Sequence, residues 1–251
     1  MSVSIKSKRE IEIMREAGKI LGTVMRDLSK EVKAGMSTYT LDKIGEEMIR
    51  SYGCIPSCKG YEGYPAAFCI SVNEAIVHSI PSKKIILKES DIVSLDACLE
   101  YKGYQADAAR TVGVGQISKE AAQLIEVTKQ SFFEGVKYAK EGCHLHEISN
   151  AIAAYNESYG YGVIRELVGH GIGAEMHEDP PIPNFTQQRR GIKLYEGMTL
   201  AIEPMVSAGG YEVEWLDDYW TAVTADRSLA AHYENTVLVT KNGPEILTLV
   251  E

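Results

Sequence analysis

Residues 91–114 read DIVSLDACLEYKGYQADAARTVGV and contain a strand–turn–strand pattern. In the first ten of these residues apolar and polar side chains alternate, which is typical of a β-strand with one buried face. Ser94, Asp96 and Cys98 would lie on the other face. The predicted buried face consists of Val93, Leu95, Ala97 and Leu99.

The dipeptide Lys102-Gly103 predicts a two-residue hairpin turn after this strand. With that turn, Asp96 and Asp107 become diagonal neighbours on one face, with their backbones about 7–8 Å apart. Facing carboxylates destabilise a sheet unless a cation lies between them, so the hairpin is a candidate metal site. Two alternatives stay open: an odd-length loop would place the carboxylates on opposite faces, and a solvated face would need no metal.

A second cluster follows in the glycine-rich segment VGHGIGA, residues 168–174, with Met176 and His177 just beyond it. Glycines on both sides of His170 would let the backbone approach a ligand closely. The segment also matches the G-x-G-x-x-G/A dinucleotide fingerprint, but that fingerprint needs a helix next. The prolines between residues 180 and 183 exclude such a helix.

Glu203 and Glu234 stand inside otherwise apolar strand patterns. Burying an unpaired carboxylate costs several kcal/mol. Either these strands have a solvated face, or the two carboxylates bind a cation.

The order of predicted elements occurs twice along the chain. A helix begins at Ser7 in a capping box, a second helix ends at Tyr52-Gly53, and strands follow over residues 66–114. Helical spacing returns over 119–140, and the chain is strand-like after residue 161. Aligning Lys33 with Lys140 places Ser-Tyr-Gly at 51–53 on Ser-Tyr-Gly at 158–160. This pattern predicts two similar αα-β halves in a single domain, residues 1–251, with a site where they meet; similar helix-stop signals are the alternative explanation.

Composition excludes several classes of protein. A net charge of −9 over 251 residues argues against a nucleic-acid binder. The sequence contains no apolar run of membrane-spanning length and no N-terminal signal-peptide pattern. Five cysteines without a CxxC pair indicate reduced thiols, so a cytoplasmic location is expected.

In their order and local motifs, the candidate residues resemble the metal ligands of the type I methionine aminopeptidases of the bacterial kind, peptidase family M24. These residues are Asp96, Asp107, His170, Glu203 and Glu234. The motifs that share the resemblance are GYEGYPAAFCISVNE (60–74), VGHGIG (168–173), TLAIEPM (199–205) and YENTVLVT (233–240). The resemblance extends from about residue 8 to the end. The short spacing between His177 and Glu203 leaves no room for the helical insertion of the type II enzymes. The resemblance implies the α/β pita-bread fold of creatinase and the aminopeptidases, with two pseudo-symmetric halves around a dinuclear metal site.

That family removes the initiator methionine from nascent proteins whose second residue is small, by attack of a metal-bridging hydroxide on the first peptide bond. The four negative charges of the carboxylates would be balanced by two divalent ions, and one imidazole would complete the donor set. Cobalt, manganese, iron and zinc are all chemically possible. The implied ligands are Asp96 on one metal, His170 and Glu203 on the other, and Asp107 and Glu234 bridging both.

The resemblance also implies roles around the metals. Glu203 would additionally shuttle a proton, His78 would face the peptide nitrogen, and His177 would donate to the oxygen of the tetrahedral intermediate. The implied methionine pocket consists of Cys58, Tyr61, Tyr64, Cys69, Met176 and Trp220.

The sequence departs from the family pattern in two places. Met176 stands where an aromatic residue is common, and Ala108 stands where a hydroxyl residue usually follows the bridging aspartate. Ala108 would therefore remove one hydrogen bond near the ligands. The backbone around Asn73, Ala75 and Ala230 matches a monovalent cation site of the family.

The expected partners are nascent polypeptide N-termini, with transient ribosome association, no nucleic acid or membrane partner, and a monomeric state. Two alternative functions stay open: a prolidase-like or aminopeptidase P-like enzyme, and a metal-free binding protein on the same scaffold.

Overall fold

The computed structural model describes residues 3–250. Its helices are α1 (Lys8–Glu31), α2 (Thr38–Ser51), α3 (Lys119–Val136) and α4 (Leu145–Ser158). The strands of the first half are β1 (Ile55–Pro56), β2 (Cys69–Val72), β3 (Ala75–Val77), β4 (Ile92–Tyr101) and β5 (Tyr104–Gly113). Those of the second half are β6 (Gly162–Val163), β7 (Gly169–Gly171), β8 (Glu178–Ile182), β9 (Thr199–Ile202), β10 (Met205–Ser207), β11 (Val213–Trp215), β12 (Ala222–Thr224), β13 (Ala230–His232), β14 (Asn235–Thr240) and β15 (Gly243–Ile246).

Two larger sheets form the centre of the fold. One has the order β1-β4-β2, with β5 paired to the same long strand β4. The other has the order β15-β14-β9-β7-β8. Two three-stranded sheets, β13-β10-β6 and β11-β12-β3, combine strands that are distant in sequence.

The predicted capping box at the start of α1 is confirmed. The Ser7 amide donates to Glu10 Oε2 at 2.6 Å, and the Glu10 amide donates to Ser7 Oγ at 3.4 Å. The helix then buries an apolar face that includes Met14, Leu21 and Leu28. This face packs on β4 and β5, and it buries Val93, Leu95, Ala97 and Leu99, the face predicted from the alternation.

The two halves have the predicted αα-β order. Helices α2 and α4 have the same length, and the alignment of Lys33 with Lys140 superposes their first and last residues. The pair α1–α2 covers the sheet that contains β4, and the pair α3–α4 packs on β9 and β14. The repeat found in the sequence therefore corresponds to a repeat of helices in the structure.

Helix α3 ends earlier than the residue pattern predicted. The pattern extended to Lys140, whereas the helix ends at Val136. Amide groups of Tyr138 and Ala139 bond to carbonyls three residues back, which tightens the chain into a turn. The turn lets Lys140 form a bridge to Thr240 in β14, so a tertiary contact overrides the local helical preference.

The hairpin has the predicted register. Tyr101 pairs with Tyr104 and Asp96 pairs with Ala109. Lys102 and Gly103 both have positive φ, 51° and 83°, as a type I′ turn requires. Within residues 3–250, no helix has the length and apolar character that crossing a bilayer requires.

Candidate metal centre and its cavity

The five predicted ligands come together where the halves meet. Asp96 lies in β4, Asp107 in β5 and His170 in the middle of β7, while Glu203 directly follows β9 and Glu234 directly precedes β14. Hydrogen bonds from backbone amides join the hairpin to the second half at this point. The Asp107 amide donates to Thr236 Oγ1 at 2.9 Å, and the Glu234 amide donates to the Ala109 carbonyl at 3.0 Å.

The ligand atoms are close enough to share ions. Asp107, His170 and Glu234 each present one donor atom, and these atoms lie within 4.8 Å of one another. The His170 Nε2 atom is 3.6 Å from Glu203 Oε1 and 3.9 Å from Asp107 Oδ2. The geometry therefore brings a mostly oxygen donor set to one point, as hard divalent cations require.

The four buried carboxyl groups of the cluster favour a bound cation. Burial raises the pKa of Asp96 to about 7, and burial together with the neighbouring carboxylates raises the pKa values of Asp107, Glu203 and Glu234 well above their usual range. In the described residues no lysine or arginine side chain forms an ion pair with any of the four. A bound divalent ion would favour their ionised forms, so the residues fit the metal that their types predict.

His170 is prepared as a neutral ligand. Burial lowers its pKa to about 4. Its Nδ1 atom lies 2.8 Å from the Gly171 carbonyl, which favours the tautomer that leaves the Nε2 lone pair free. Close packing explains the glycine at position 169, because a Cβ there would lie 2.4 Å from the Ala201 carbonyl oxygen. Strand β8 follows β7, so the structure contains no helix of the dinucleotide-binding kind at this segment.

A cavity of about 360 Å³ opens above the carboxylates. Its polar floor is formed by the five candidate ligands, and its wall is apolar and rich in sulfur and aromatic rings. Tyr64 packs edge-on against Trp220 with ring centroids 5.1 Å apart, and its hydroxyl donates to the Ser79 carbonyl at 2.8 Å. The six residues expected to form the methionine pocket all line this cavity: Cys58, Tyr61, Tyr64, Cys69, Met176 and Trp220.

His78 and His177 line the same cavity. Burial lowers the pKa of His78 to about 4 and also lowers the pKa of His177, so both rings are neutral near pH 7. The His177 Nδ1 atom is 2.8 Å from the Tyr61 hydroxyl, and its ring centroid is 4.3 Å from that of His170. The hydroxyl contact orients the His177 ring beside the candidate ligand His170.

The two departures from the family pattern have different surroundings. Met176 belongs to the buried apolar cluster that also contains Cys98, and it forms part of the cavity wall. The Ala108 side chain is buried in the cluster under α1. Its backbone N–H hydrogen-bonds to the Asp107 carboxylate, so this bond is independent of the Ala108 side chain.

A histidine beside the candidate ligands was not anticipated from the sequence. His232, the last residue of β13, is buried, and its Nε2 atom lies 3.7 Å from Glu203 Oε2. Among residues 3–250 neither ring nitrogen has a hydrogen-bond partner, and burial lowers the pKa of His232 to about 3. The available signal was its position two residues before Glu234, which places both side chains on one side of an extended segment.

Asn73, Ala75 and Ala230 lie close together, as their implied cation site needs. The Asn73 carbonyl accepts a hydrogen bond from the Ala230 amide at 2.9 Å, and Ala75 begins β3. Occupation of this backbone site by a monovalent cation stays a prediction.

Comparison with known proteins identifies the family. The sequence model described as metallopeptidase family M24 matches residues 12–241. The chain belongs to metallopeptidase family M24. Within the M24 family it is 55% identical to a methionine aminopeptidase of Clostridium acetobutylicum, over 99% of this chain and 100% of that protein.

Solved structures of M24 relatives agree with this assignment. A methionine aminopeptidase from Thermotoga maritima superposes with a TM-score of 0.97 at 43% identity, over 99% of this chain and 100% of that one. A prolidase from Pyrococcus furiosus gives a TM-score of 0.79 at 25% identity, and the match covers 98% of this chain but 66% of that one. The M24 chain thus has the pita-bread fold that these enzymes share.

Proposed function

We propose that this metallopeptidase removes the N-terminal methionine from polypeptides whose second residue is small. The observation that carries the proposal is the combination of a buried cluster of four carboxylates and one imidazole with a cavity wall of thiols, a thioether and aromatic rings. The cluster suits a metal-dependent hydrolysis, and the wall suits an unbranched thioether side chain, because sulfur contacts aromatic rings favourably.

Two divalent ions would be held by the five ligands, with Asp107 and Glu234 shared between them. Two dications would balance the four carboxylate charges, which supports a dinuclear centre. When bound, the ions would supply Lewis-acid activation of the scissile carbonyl and a water acidic enough to deprotonate near neutral pH. Cobalt, manganese, iron and zinc all remain candidates for these ions.

The residues around the ligands would perform the proton transfers and hold the substrate. Glu203, at the edge of the cluster beside His170, would accept the proton of the attacking water and pass it to the leaving amine. His177, oriented by Tyr61, would donate a hydrogen bond to the oxygen that develops negative charge. His78 would hold the nitrogen of the peptide bond that is cut.

The cavity wall supports selection for methionine. Cys58, Cys69 and Met176 provide polarisable sulfur, and burial raises the pKa values of both thiols well above their usual range, so the wall stays uncharged. Tyr64 and Trp220 provide a rigid aromatic corner. Such a wall favours a thioether over a branched or charged side chain.

We further propose that the chain acts as a single-domain monomer in the cytoplasm, on nascent chains as they leave the ribosome. Hydrogen bonds between the hairpin and β14 support one domain, since they join the two halves through the site itself. The five cysteines are free thiols, which supports a reducing compartment.

The test measures methionine release by metal-depleted protein titrated with Mn²⁺ or Co²⁺. Three peptides separate the parts of the proposal: Met-Ala-Ser, Leu-Ala-Ser with a branched first residue, and Met-Leu-Ser with a larger second residue. We expect metal-dependent cleavage of Met-Ala-Ser alone. Cleavage of Leu-Ala-Ser at a similar rate would contradict the methionine pocket. Absence of cleavage by folded protein with either metal would instead favour a metal-free binding function.

A further inference from the structure

An exposed apolar rim lies at the end of β11 and in the turn that leads to β12. It is formed by Trp215, Leu216 and Tyr219, whose relative exposures are 48%, 41% and 90%. Groups of large exposed apolar side chains are more frequent at binding sites than elsewhere on protein surfaces. None of these three residues belongs to the methionine pocket described above.

Sheet pairing places the rim beside the catalytic cavity. In the sheet β11-β12-β3, Trp215 pairs with Ala222, and Ala222 pairs with Val77. His78 follows Val77 directly, and its ring lies nearly parallel to that of Trp215, with centroids 6.5 Å apart at an angle of 27°. The indole is therefore the next ring outward from the histidine that borders the cavity.

The rim is held in a fixed conformation. Asp218 accepts hydrogen bonds from the Trp220 amide at 2.9 Å and from the Thr221 amide at 2.8 Å. The Leu216 amide donates to the Thr221 carbonyl at 2.9 Å, which closes the turn between β11 and β12. A surface that is already ordered loses little conformational entropy when a peptide binds to it.

We propose that Trp215 and Leu216 bind the side chain of the third residue of the substrate and prefer an apolar one. This inference rests on the proposed function, in which His78 holds the nitrogen of the second residue. An extended chain advances about 3.3 Å per residue. The nitrogen of the second residue and the Cα atom of the third are little more than one residue apart. The third side chain can therefore reach the indole, whose ring is 6.5 Å from that of His78.

The charges near the rim disfavour an acidic third residue. Glu62 lines the cavity, Asp217 lies in the turn that carries the rim, and the residues described as lining the cavity include no lysine or arginine. Arg227, which follows β12 in the sequence, forms an ion pair with Glu214 at 2.6 Å. The expected order of preference at the third position is therefore leucine, then serine, then aspartate.

The experiment compares kcat/KM for Met-Ala-Leu-Ser, Met-Ala-Ser-Ser and Met-Ala-Asp-Ser with the metal-loaded full chain. We expect the leucine peptide to exceed the serine peptide about five- to tenfold, as partial burial of one apolar side chain would produce. In Trp215→Ala this ratio should fall to about twofold or less, whereas Trp215→Phe should keep most of it. The ratio within each variant is the readout, because it cancels losses that affect both peptides equally.

Tyr159→Ala is the matched control, since Tyr159 is 46% exposed at the end of α4. It should keep the wild-type ratio. An unchanged ratio in Trp215→Ala, or a wild-type ratio near one, would overturn the rim proposal while leaving the proposed function standing. Absence of methionine release from all three peptides would overturn the proposed function and the rim proposal with it.

Discussion

Lys6 Nζ lies 2.5 Å from Glu178 Oε2, so the N-terminal segment is joined to the segment that carries Met176 and His177. The Lys6 side chain is only 3% exposed and that of Glu178 16%. The other Glu178 oxygen accepts a hydrogen bond from the Glu175 amide at 3.3 Å, which closes the loop around His177. Gly173 leaves room for this pair, since a Cβ there would lie 2.4 Å from both Lys6 Cε and Glu178 Oε1.

Replacing Lys6 should therefore damage both stability and activity. Lys6→Met leaves the Glu178 carboxylate largely buried without its partner, which should lower the free energy of unfolding by about 3 kcal/mol. Because the loop then loses an anchor, kcat/KM should fall about tenfold. Urea unfolding and peptide kinetics measure the two effects. The control is Lys102→Met, which breaks the exposed pair with Glu16 and should cost less than about 1 kcal/mol; equal losses in the two variants would contradict the prediction.

Removing Asp107 should abolish both metal binding and turnover. Asp107 is a proposed shared ligand, so Asp107→Ala should lower kcat about a thousandfold or more and leave less than one ion per chain by elemental analysis. Asp107→Asn keeps the side-chain shape and should give the same loss if the charge is what matters. Asp27→Ala, which removes an exposed carboxylate on α1, serves as the control. Full activity of Asp107→Ala in metal-depleted buffer would show that the dinuclear assignment is wrong.

His78 should affect turnover without affecting metal content. Its ring borders the cavity but is not part of the donor group formed by Asp107, His170 and Glu234. We expect His78→Ala to lower kcat about a hundredfold, as the loss of one positioned hydrogen-bonding group does. His170→Ala is the contrasting variant and should lose metal as well. If His78→Ala also loses its metal, then His78 is a ligand and its proposed substrate role is wrong.

Much of the centre could be predicted because local chemistry determines it. The Lys102-Gly103 turn and the alternation of β4 fix one register, and that register alone brings Asp96 and Asp107 to one face. The capping box at Ser7 and the matching ends of α2 and α4 are likewise local signals. In each case the residues that carry the signal are also the residues that form the contact.

The features that were not predicted depend on contacts between distant segments. Lys6 and Glu178 are 172 residues apart in sequence, and nothing local to either residue indicates the other. His232 reaches Glu203 because β13 pairs with β10, and Trp215 reaches His78 because β12 pairs with β3. These pairings follow from the order of strands in the sheets, which periodicity along the chain does not determine.

The stability of the metal-free protein should fall as pH rises above about 6.5. Carboxyl groups whose folded pKa is raised stabilise the fold while protonated, and that stability is lost as pH rises through the folded pKa, which is about 7 for Asp96. The histidines with lowered pKa act in the opposite sense, but only while the unfolded chain still binds their protons, below about pH 6.5. From pH 6.5 to 8 the carboxyl groups therefore dominate, with at most about 1.4 kcal/mol per pH unit for each group that is still protonated in the fold.

Urea unfolding at pH 6.5, 7.2 and 8.0 measures this effect, in chelator and then with excess Mn²⁺. The free energy of unfolding should decrease across the series in chelator and remain nearly constant with metal, because bound cations favour the ionised carboxylates at every pH in the range. Asp96→Asn should reduce the slope in chelator, since it removes one titrating group. A metal-free protein whose stability stays level or rises from pH 6.5 to 8 would show that these carboxyl groups are already ionised in the fold.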